Sequence, residues 1–104
     1  MTSADPFEAL GDEHRRRIVS LLGDGDHSVR ELADELPISR PAVSRHLRVL
    51  KGAGLVSDRP EGTRRVYRLE PDGAETIAAY LHDVWGAAIA RYRLVADNTR
   101  ARRR

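Results

Sequence analysis

Residues 29–50, VRELADELPISRPAVSRHLRVL, constrain the fold more than any other stretch of the chain. Two short helical patterns lie there with a proline between them. Ser28 followed by Glu31 is a capping box, in which a hydroxyl and a carboxylate satisfy the first orphan N–H groups of a helix. Val29, Leu32, Ala33 and Leu36 then share one face at helical spacing. Pro37 cannot continue that helix and disfavours helical geometry at Leu36. Ser39 is a good N-cap for a second helix, and Pro41 is tolerated in its first turn. Val43, Leu47 and Leu50 share the inner face of this second helix. Small Ala33 allows a close crossing, and Leu36, Ile38, Val43 and Leu47 suffice for one compact core.

The outer face of the second helix is then uncovered. Pro41, Ser44, Arg45 and Arg48 lie on it, flanked by Arg40 and Lys51, and no acid occurs from Ser39 to Lys51. Arg bonds guanine edges bidentately, and Ser or Arg holds phosphates. An ordinary solvated face is the bland alternative, because charged faces are common. His46 falls between the inner and outer faces, where it either contacts DNA or packs as a polar residue; the DNA contact is favoured.

The segment after this helix decides between those alternatives. Gly52 and Gly54 end the helix. Leu55 to Arg59 is strand-like, Pro60-Glu61-Gly62-Thr63 is a turn, and Arg64 to Leu69 returns with alternation, a β-hairpin with a loop of 3–5 residues. Arg59, Arg64, Arg65 and Arg68 line its tip and legs. A basic hairpin directly after a basic helix is a wing, able to follow the backbone or to enter the minor groove. The expected fold is mainly α with a small β-hairpin, a winged helix-turn-helix. His27 and Ser28 add a short strand before it.

Charge supports the placement. The net charge is only +2, but residues 39–68 carry +6 between stretches of −5 (1–38) and −3 (69–98). A positive block on an acidic body is the footprint of a local DNA-binding face.

Toward the N-terminus, Asp5 and Pro6 start a short helix with Phe7 and Leu10 apolar, and Asp12 caps a second helix to about Leu22. Arg15, Arg16 and Arg17 in that helix are either solvated surface or phosphate contacts. Gly23 to Asp26 is a turn without the downstream Glu of a calcium loop. After the wing, residues 70–73 form another turn and a last helix runs to about Asp97. Ile77, Leu81, Val84, Ala88, Tyr92 and Val95 recur at three- and four-residue steps on it, with Trp85 and Ile89 beside them. That stripe exceeds what the small core can cover, so it is expected to pair with a second copy, with Phe7 and Leu10 joining the interface. The expected dimer residues are Phe7, Leu10, Ile77, Leu81, Val84, Trp85, Ala88 and Tyr92. Residues 1–98 form one DNA-binding and dimerisation domain; the basic tail 99–104 is expected to be loose and to touch phosphates non-specifically.

Other classes are disfavoured. There is no cysteine, hence no disulfide or thiolate site. No stretch approaches the ~18 apolar residues of a membrane span, and the start MTSADPFEAL lacks the pattern of a secretory signal, so a cytoplasmic protein is expected. No nucleophile elbow, phosphate loop or cofactor fingerprint is present, so neither an enzyme nor a bound cofactor is expected. His14, His27, His46 and His82 show no metal-site spacing within one element.

The order of elements resembles the ArsR family of bacterial winged helix-turn-helix repressors. The resemblance rests on SRPAVSRHLRVL with KGAGLV directly after it (residues 39–56), and on FEALGD (7–12) with HRRRI (14–18). It implies a homodimer that binds operator DNA, often at its own promoter, and releases it when an effector binds. The matching DNA-contact positions are Ser39, Arg40, Ser44, Arg45 and His46, with the wing arginines Arg59, Arg64 and Arg65. The family's cysteine pair is absent: Val29, Arg30, Glu31 and Leu32 stand there. The last helix has His82 and Asp83 but no second histidine. The expected partners are double-stranded operator DNA, a second copy and an unidentified small-molecule effector, with no metal. Alternatives are a metal-responsive repressor with a non-cysteine site, and a protein-interaction module on a winged-helix scaffold; the +6 block argues against the latter.

Overall fold

The computed structural model describes residues 5–102, with side chains from 5 to 97. Two compact units are present, Met1–Ala74 and Glu75–Arg104.

The first unit begins with α1 (Pro6–Ala9), where the Asp5 side chain accepts from the Phe7 N–H and Pro6 opens the helix. In α2 (Glu13–Asp24) the Asp12 carboxylate accepts from the Arg15 N–H, and Ile18 and Leu22 are buried. This helix does not stop at Leu22, as expected from the Gly-Asp repeat, but takes in Gly23 and Asp24. The Gly25 N–H bonds the Leu22 carbonyl at 3.3 Å, so the turn closes one residue pair later. Next comes β1 (His27–Ser28), and Ser28 both ends this strand and caps α3 (Val29–Glu35) with both bonds of the capping box formed. Leu36 is extended, consistent with Pro37 behind it.

α4 (Arg40–Gly52) starts on Ser39, whose hydroxyl accepts from the Ala42 N–H at 3.3 Å. Its end is closed by two crossed bonds, Gly54 N–H to Lys51 O and Leu55 N–H to Leu50 O, both 3.0 Å. Gly54 sits at φ +76°, the left-handed position that this Schellman closure needs. The closure turns the chain straight into β2 (Val56–Glu61), which pairs antiparallel with β3 (Arg64–Leu69). The sheet order is β1-β3-β2, so β3 is central.

The hairpin is tighter than the sequence implied. Pro60 and Glu61 are strand residues paired with Arg65 and Arg64, and only Gly62 and Thr63 form the loop. Pro60 has no N–H to give, but β2 is an edge strand, where a proline is tolerated. Gly62 at φ +64°, with no positive φ at Thr63, matches the two-residue hairpin turn that takes glycine first.

Ile18, Leu22, Leu32, Leu36, Val43, Leu47, Leu50, Leu55, Val56 and Val66 are buried and make the core of this unit. Val29, Ala33 and Ile38 are half-buried at its edge. The residues expected to turn α4 inward, Val43, Leu47 and Leu50, are each at most 1% exposed.

α5 (Pro71–Arg102) starts at Pro71 rather than after a turn ending at Gly73. Proline suits a first helical position, and Gly73 is buried within the first turn. A Cβ there would collide with the Gly54 carbonyl oxygen and lie 3.0 Å from Leu55 Cα. Gly73 therefore serves close packing of α5's start on the end of α4.

The second unit is the remainder of α5. Tyr80, Leu81, Val84, Trp85, Ile89, Tyr92, Leu94 and Val95 are exposed on it, and the Tyr80 and Trp85 rings meet edge-on at 6.2 Å. The helix continues past Asp97 to Arg102, since Arg and Ala are strong helix formers and no Gly or Pro intervenes. The side chains from 98 onward, and with them the expected tail–phosphate contact, lie outside the described residues.

Gly73→Ala should destabilise the protein by about 1–3 kcal/mol, the usual range for an overpacked site, whereas Gly52→Ala, where nothing lies within 4 Å, should not. Thermal unfolding of the two variants checks this; equal melting temperatures would contradict the close approach.

Candidate nucleic-acid interface

Packing of Val43, Leu47 and Leu50 into the core leaves the opposite side of α4 in solvent. Arg40, Pro41, Arg45, Arg48 and Lys51 are exposed and Ser44 is half-buried. Arg40, Arg45 and Arg48 have no ion pair or hydrogen-bond partner among the described residues. Ser39 is exposed too, with its hydroxyl committed to the helix cap.

The wing is different, because each of its arginines meets a carboxylate. Arg59 contacts Asp26 at 2.9 Å and Glu61 at 3.2 Å. Arg64 lies 3.3 Å from Glu61 and 3.6 Å from Glu31. Arg65 bonds Asp58 through Nε, and Lys51, from the last turn of α4, reaches the other oxygen of Asp58 at 2.7 Å. Arg68 lies 3.6 Å from Glu70. The positive block of the sequence is therefore two populations: arginines on the helix that are unpaired among the described residues, and paired cations on the hairpin and at Lys51.

An open cleft of about 760 Å³ lies between α3, the first half of α4 and the wing. Arg40, Ser44, Arg64 and Arg65 line it from the expected set, which brings helix and wing residues to one surface. Tyr67, Arg30, Glu31 and Asp34 line it as well. Sequence reasoning passed over Tyr67. The alternation with buried Val66 was the signal available for it; the register opposite Asp58 comes from the two-residue loop.

His46, expected among the DNA contacts, is turned toward α2. Its Nδ1 lies 3.3 Å from an Arg15 guanidinium nitrogen and 3.9 Å from an Asp12 oxygen, and its ring is 5.8 Å from that of His14. Burial holds the His46 pKa below the ordinary histidine value against the opposing pull of Asp12, and Arg15 adds to the lowering. A neutral ring whose Nδ1 accepts from Arg15 fits that shift. The cause is α2, which packs against α4 on the side where residue 46 emerges. Arg15 and Arg16 also bond the Ala9 and Leu10 carbonyls, at 2.6 and 2.7 Å, tying α1 to α2 and favouring the C-terminal end of its dipole. Arg17 remains exposed.

Beside the Asp12 carboxyl, which the Arg15 backbone N–H lowers, two carboxylates near the wing are tuned by their contacts. Asp58 is held below the usual carboxylate range by the Lys51 hydrogen bond first and the Arg65 bond second, against the cost of its burial. Glu31 is lowered mainly by the Ser28 backbone N–H and hydroxyl, with Arg64 contributing less.

This geometry is that of a known group of proteins. Residues 12–58 match the family described as bacterial regulatory protein, arsR family. The HTH-type transcriptional regulator Rv2034 of Mycobacterium tuberculosis is 50% identical over 92 residues, covering 88% of this chain and 86% of that protein. The chain belongs to the arsR family of bacterial regulatory proteins. The arsenical resistance operon repressor of Escherichia coli is 34% identical over 93 residues, 88% of this chain and 80% of that one. A crystal structure described as a possible transcriptional regulator for arsenical resistance superimposes with a TM-score of 0.74 at 44% identity, over 89% of this chain and 95% of that one. The protein is thus a DNA-binding transcriptional regulator on a winged-helix fold, and not an enzyme. No helix among the described residues is long and apolar enough to cross a membrane. Among them, no group of three or more His, Cys, Asp or Glu is placed to hold a metal ion.

The lowered Asp58 pKa has a definite sign in stability. The folded carboxylate is harder to protonate than the unfolded one, so its contribution is complete above the ordinary carboxylate pKa and is lost as pH falls through the folded value. Stability of the regulator should decline from about pH 4 downward. Asp58→Asn should be less stable at pH 7 and show a shallower decline in that acid window, read from melting temperature against pH. Parallel curves for the two proteins would contradict the assigned ion pairs.

Proposed function

We propose that this regulator is a homodimeric repressor that binds a pseudo-palindromic operator in its own or a neighbouring operon and acts in the cytoplasm. The observation that carries this reading is the outward face of α4, where Arg40, Arg45 and Arg48 stand exposed beside Ser44 and, among the described residues, without carboxylate partners. Nothing in the protein needs to be displaced before these side chains meet bases. Arg45 and Arg40 are the proposed base readers, while Arg48, Pro41 and Ser39 contact the groove wall and backbone. Arg59, Arg64 and Arg65 are the proposed backbone contacts; Arg59 and Arg64 exchange exposed carboxylates for phosphates, whereas Arg65 keeps Asp58 and offers its remaining donors. The names of the Escherichia coli arsenical repressor and of the Bacillus subtilis transcriptional repressor SdpR, 40% identical over 63 residues, favour repression.

The dimer reading is supported by the exposed residues of α5. Leu81 is 47%, Val84 49%, Trp85 48% and Tyr92 76% exposed, alongside half-buried Ile77 and Ala88. Phe7 at 39% exposure and half-buried Leu10 offer further apolar surface on α1. A second copy of the chain is the proposed occupant, since operator half-sites require two recognition helices at a fixed spacing. Residues 1–98 carry DNA binding and dimerisation together, and the tail 99–104 adds non-specific phosphate contact. An effector acts by binding one state of this dimer better than the other.

Selection from a random duplex pool, with hydroxyl-radical footprinting of the winners, tests the reading. It should give two protected patches centred about one helical turn apart, or a multiple of it. A single patch, or no enriched sequence, would contradict it. On the selected operator, Arg45→Ala should cost about 1–3 kcal/mol and relax preference at one position. Arg64→Ala should weaken all sequences alike and flatten the log–log salt dependence by about one. Leu81→Asp with Val84→Asp should convert the dimer to monomer in sedimentation and weaken operator binding by about 100-fold or more, the avidity of a second half-site. A dimer surviving those changes would place the interface elsewhere.

A further inference from the structure

The wing's ion pairs are not equivalent. Glu61 and Asp26 are 50% and 43% exposed, so each can swing into water when its arginine finds a phosphate, while Glu31 stays in the capping box and meets Arg64 only at 3.6 Å. The Asp58 side chain is only 5% exposed, beneath two cations that are each 56% exposed. It cannot leave without exposing a packed position of β2. Its two oxygens are divided between partners from two other elements: Oδ1 takes Lys51 of α4, and Oδ2 takes Nε of Arg65 on β3.

Both cations keep donors to spare. One of the three ammonium protons of Lys51 is directed at Asp58. Arg65 approaches the carboxylate through Nε at 2.5 Å, and it makes no other hydrogen bond or ion pair among the described residues, which leaves the outer edge of its guanidinium uncommitted. Arg65 also lines the cleft shared with Arg40 and Ser44. The triad carries a net charge of +1, with its negative centre inside and its donors outside. Such an arrangement presents fixed donors to one anion, and a phosphodiester oxygen pair has the shape and charge to take them.

We propose that Lys51 and Arg65 form one two-cation subsite for a DNA backbone phosphate, and that Asp58 is the positioning residue that holds the pair together. The subsite locks the end of the recognition helix to the wing, so that base-reading depth and backbone grip are set jointly. This rests on the reading that α4 and the wing face the duplex.

Charge alone and positioning make opposite forecasts for Asp58→Asn. Removing a carboxylate near DNA should by bulk electrostatics tighten binding to any duplex. Loss of a positioning group should weaken the selected operator while leaving a scrambled duplex unchanged or bound more tightly. The experiment is fluorescence anisotropy of the full chain on both duplexes across a salt series. The variants are Asp58→Asn, Asp58→Glu, Lys51→Gln, Arg65→Gln and the Lys51→Gln/Arg65→Gln pair.

Asp58→Asn should lose operator affinity by roughly three- to tenfold with no loss on scrambled DNA, and Asp58→Glu should recover part of it. Lys51→Gln and Arg65→Gln should be non-additive, the pair costing less than the product of the singles, as expected for groups serving one phosphate. The pair should lower the salt slope by about one phosphate's worth rather than two. Asp58→Asn tightening both duplexes equally, or additive single effects, would overturn the proposal. Should Asp58→Asn fail to fold, the Lys51–Arg65 cycle keeps Asp58 in place and decides by itself. Arg45→Ala separates the two levels. A neutral Arg45→Ala removes the underlying interface reading, whereas a costly one beside an additive cycle removes the Asp58 subsite alone.

Discussion

Burial of Val43, Leu47 and Leu50 on one side of α4 is the interaction on which the rest of this regulator depends. Each is worth about 1.5–3 kcal/mol when withdrawn from water. Together they supply an amount comparable with the whole net stability of a small domain, about 5–15 kcal/mol. Because their spacing is helical, burying them leaves one rotational setting for the helix. That setting puts Arg40, Arg45 and Arg48 outward. The residues that fold the protein and those that meet DNA are thus neighbours on the same thirteen-residue helix.

The same core aims the wing. Leu55 and Val56 continue the buried set directly after the Gly54 closure, and Val66 returns from β3 to join them. The sheet is therefore anchored at the end of α4 rather than attached as a separate appendage. Ser28 belongs to both systems, since it pairs with Val66 in the sheet and caps α3. Its buried position carries no cost because its hydroxyl and backbone N–H are both bonded within the capping box. On this frame, the wing's arginines are held by carboxylates in the absence of DNA. Exposed ion pairs are worth only about 0–1 kcal/mol, so exchanging most of them for phosphates costs little. Asp58 differs because it is buried.

Much of this was legible locally. The capping box at Ser28, the prolines at 37 and 41, and the apolar spacing of α4 are signals that act within a few residues, and the structure obeys them. The Ser-capped helix, the glycine closure and the basic hairpin were enough to read the fold class. What the sequence did not disclose depends on contacts between distant segments. His46 faces α2 because α2 packs there, and no periodicity within α4 reports it. Gly73 looked like a turn residue but is a packing residue, since its neighbour Gly54 lies far off in sequence. Pro60 looked like a loop residue until the strand order made β2 an edge. In the sequence Asp58 and Glu61 only reduce the charge of a positive block; their geometry makes them partners of individual cations.

The central claim is that α4 reads sequence with unpaired arginines while the wing supplies charge. The most direct test is fluorescence anisotropy of the purified regulator on its own upstream promoter fragment, against a scrambled duplex of equal length, across a salt series. A preference for the promoter that persists at physiological salt is expected, with steep salt dependence common to both duplexes. Equal and equally salt-dependent binding to the promoter, to the scrambled duplex and to any sequence enriched from a random pool would contradict this division of labour between helix and wing.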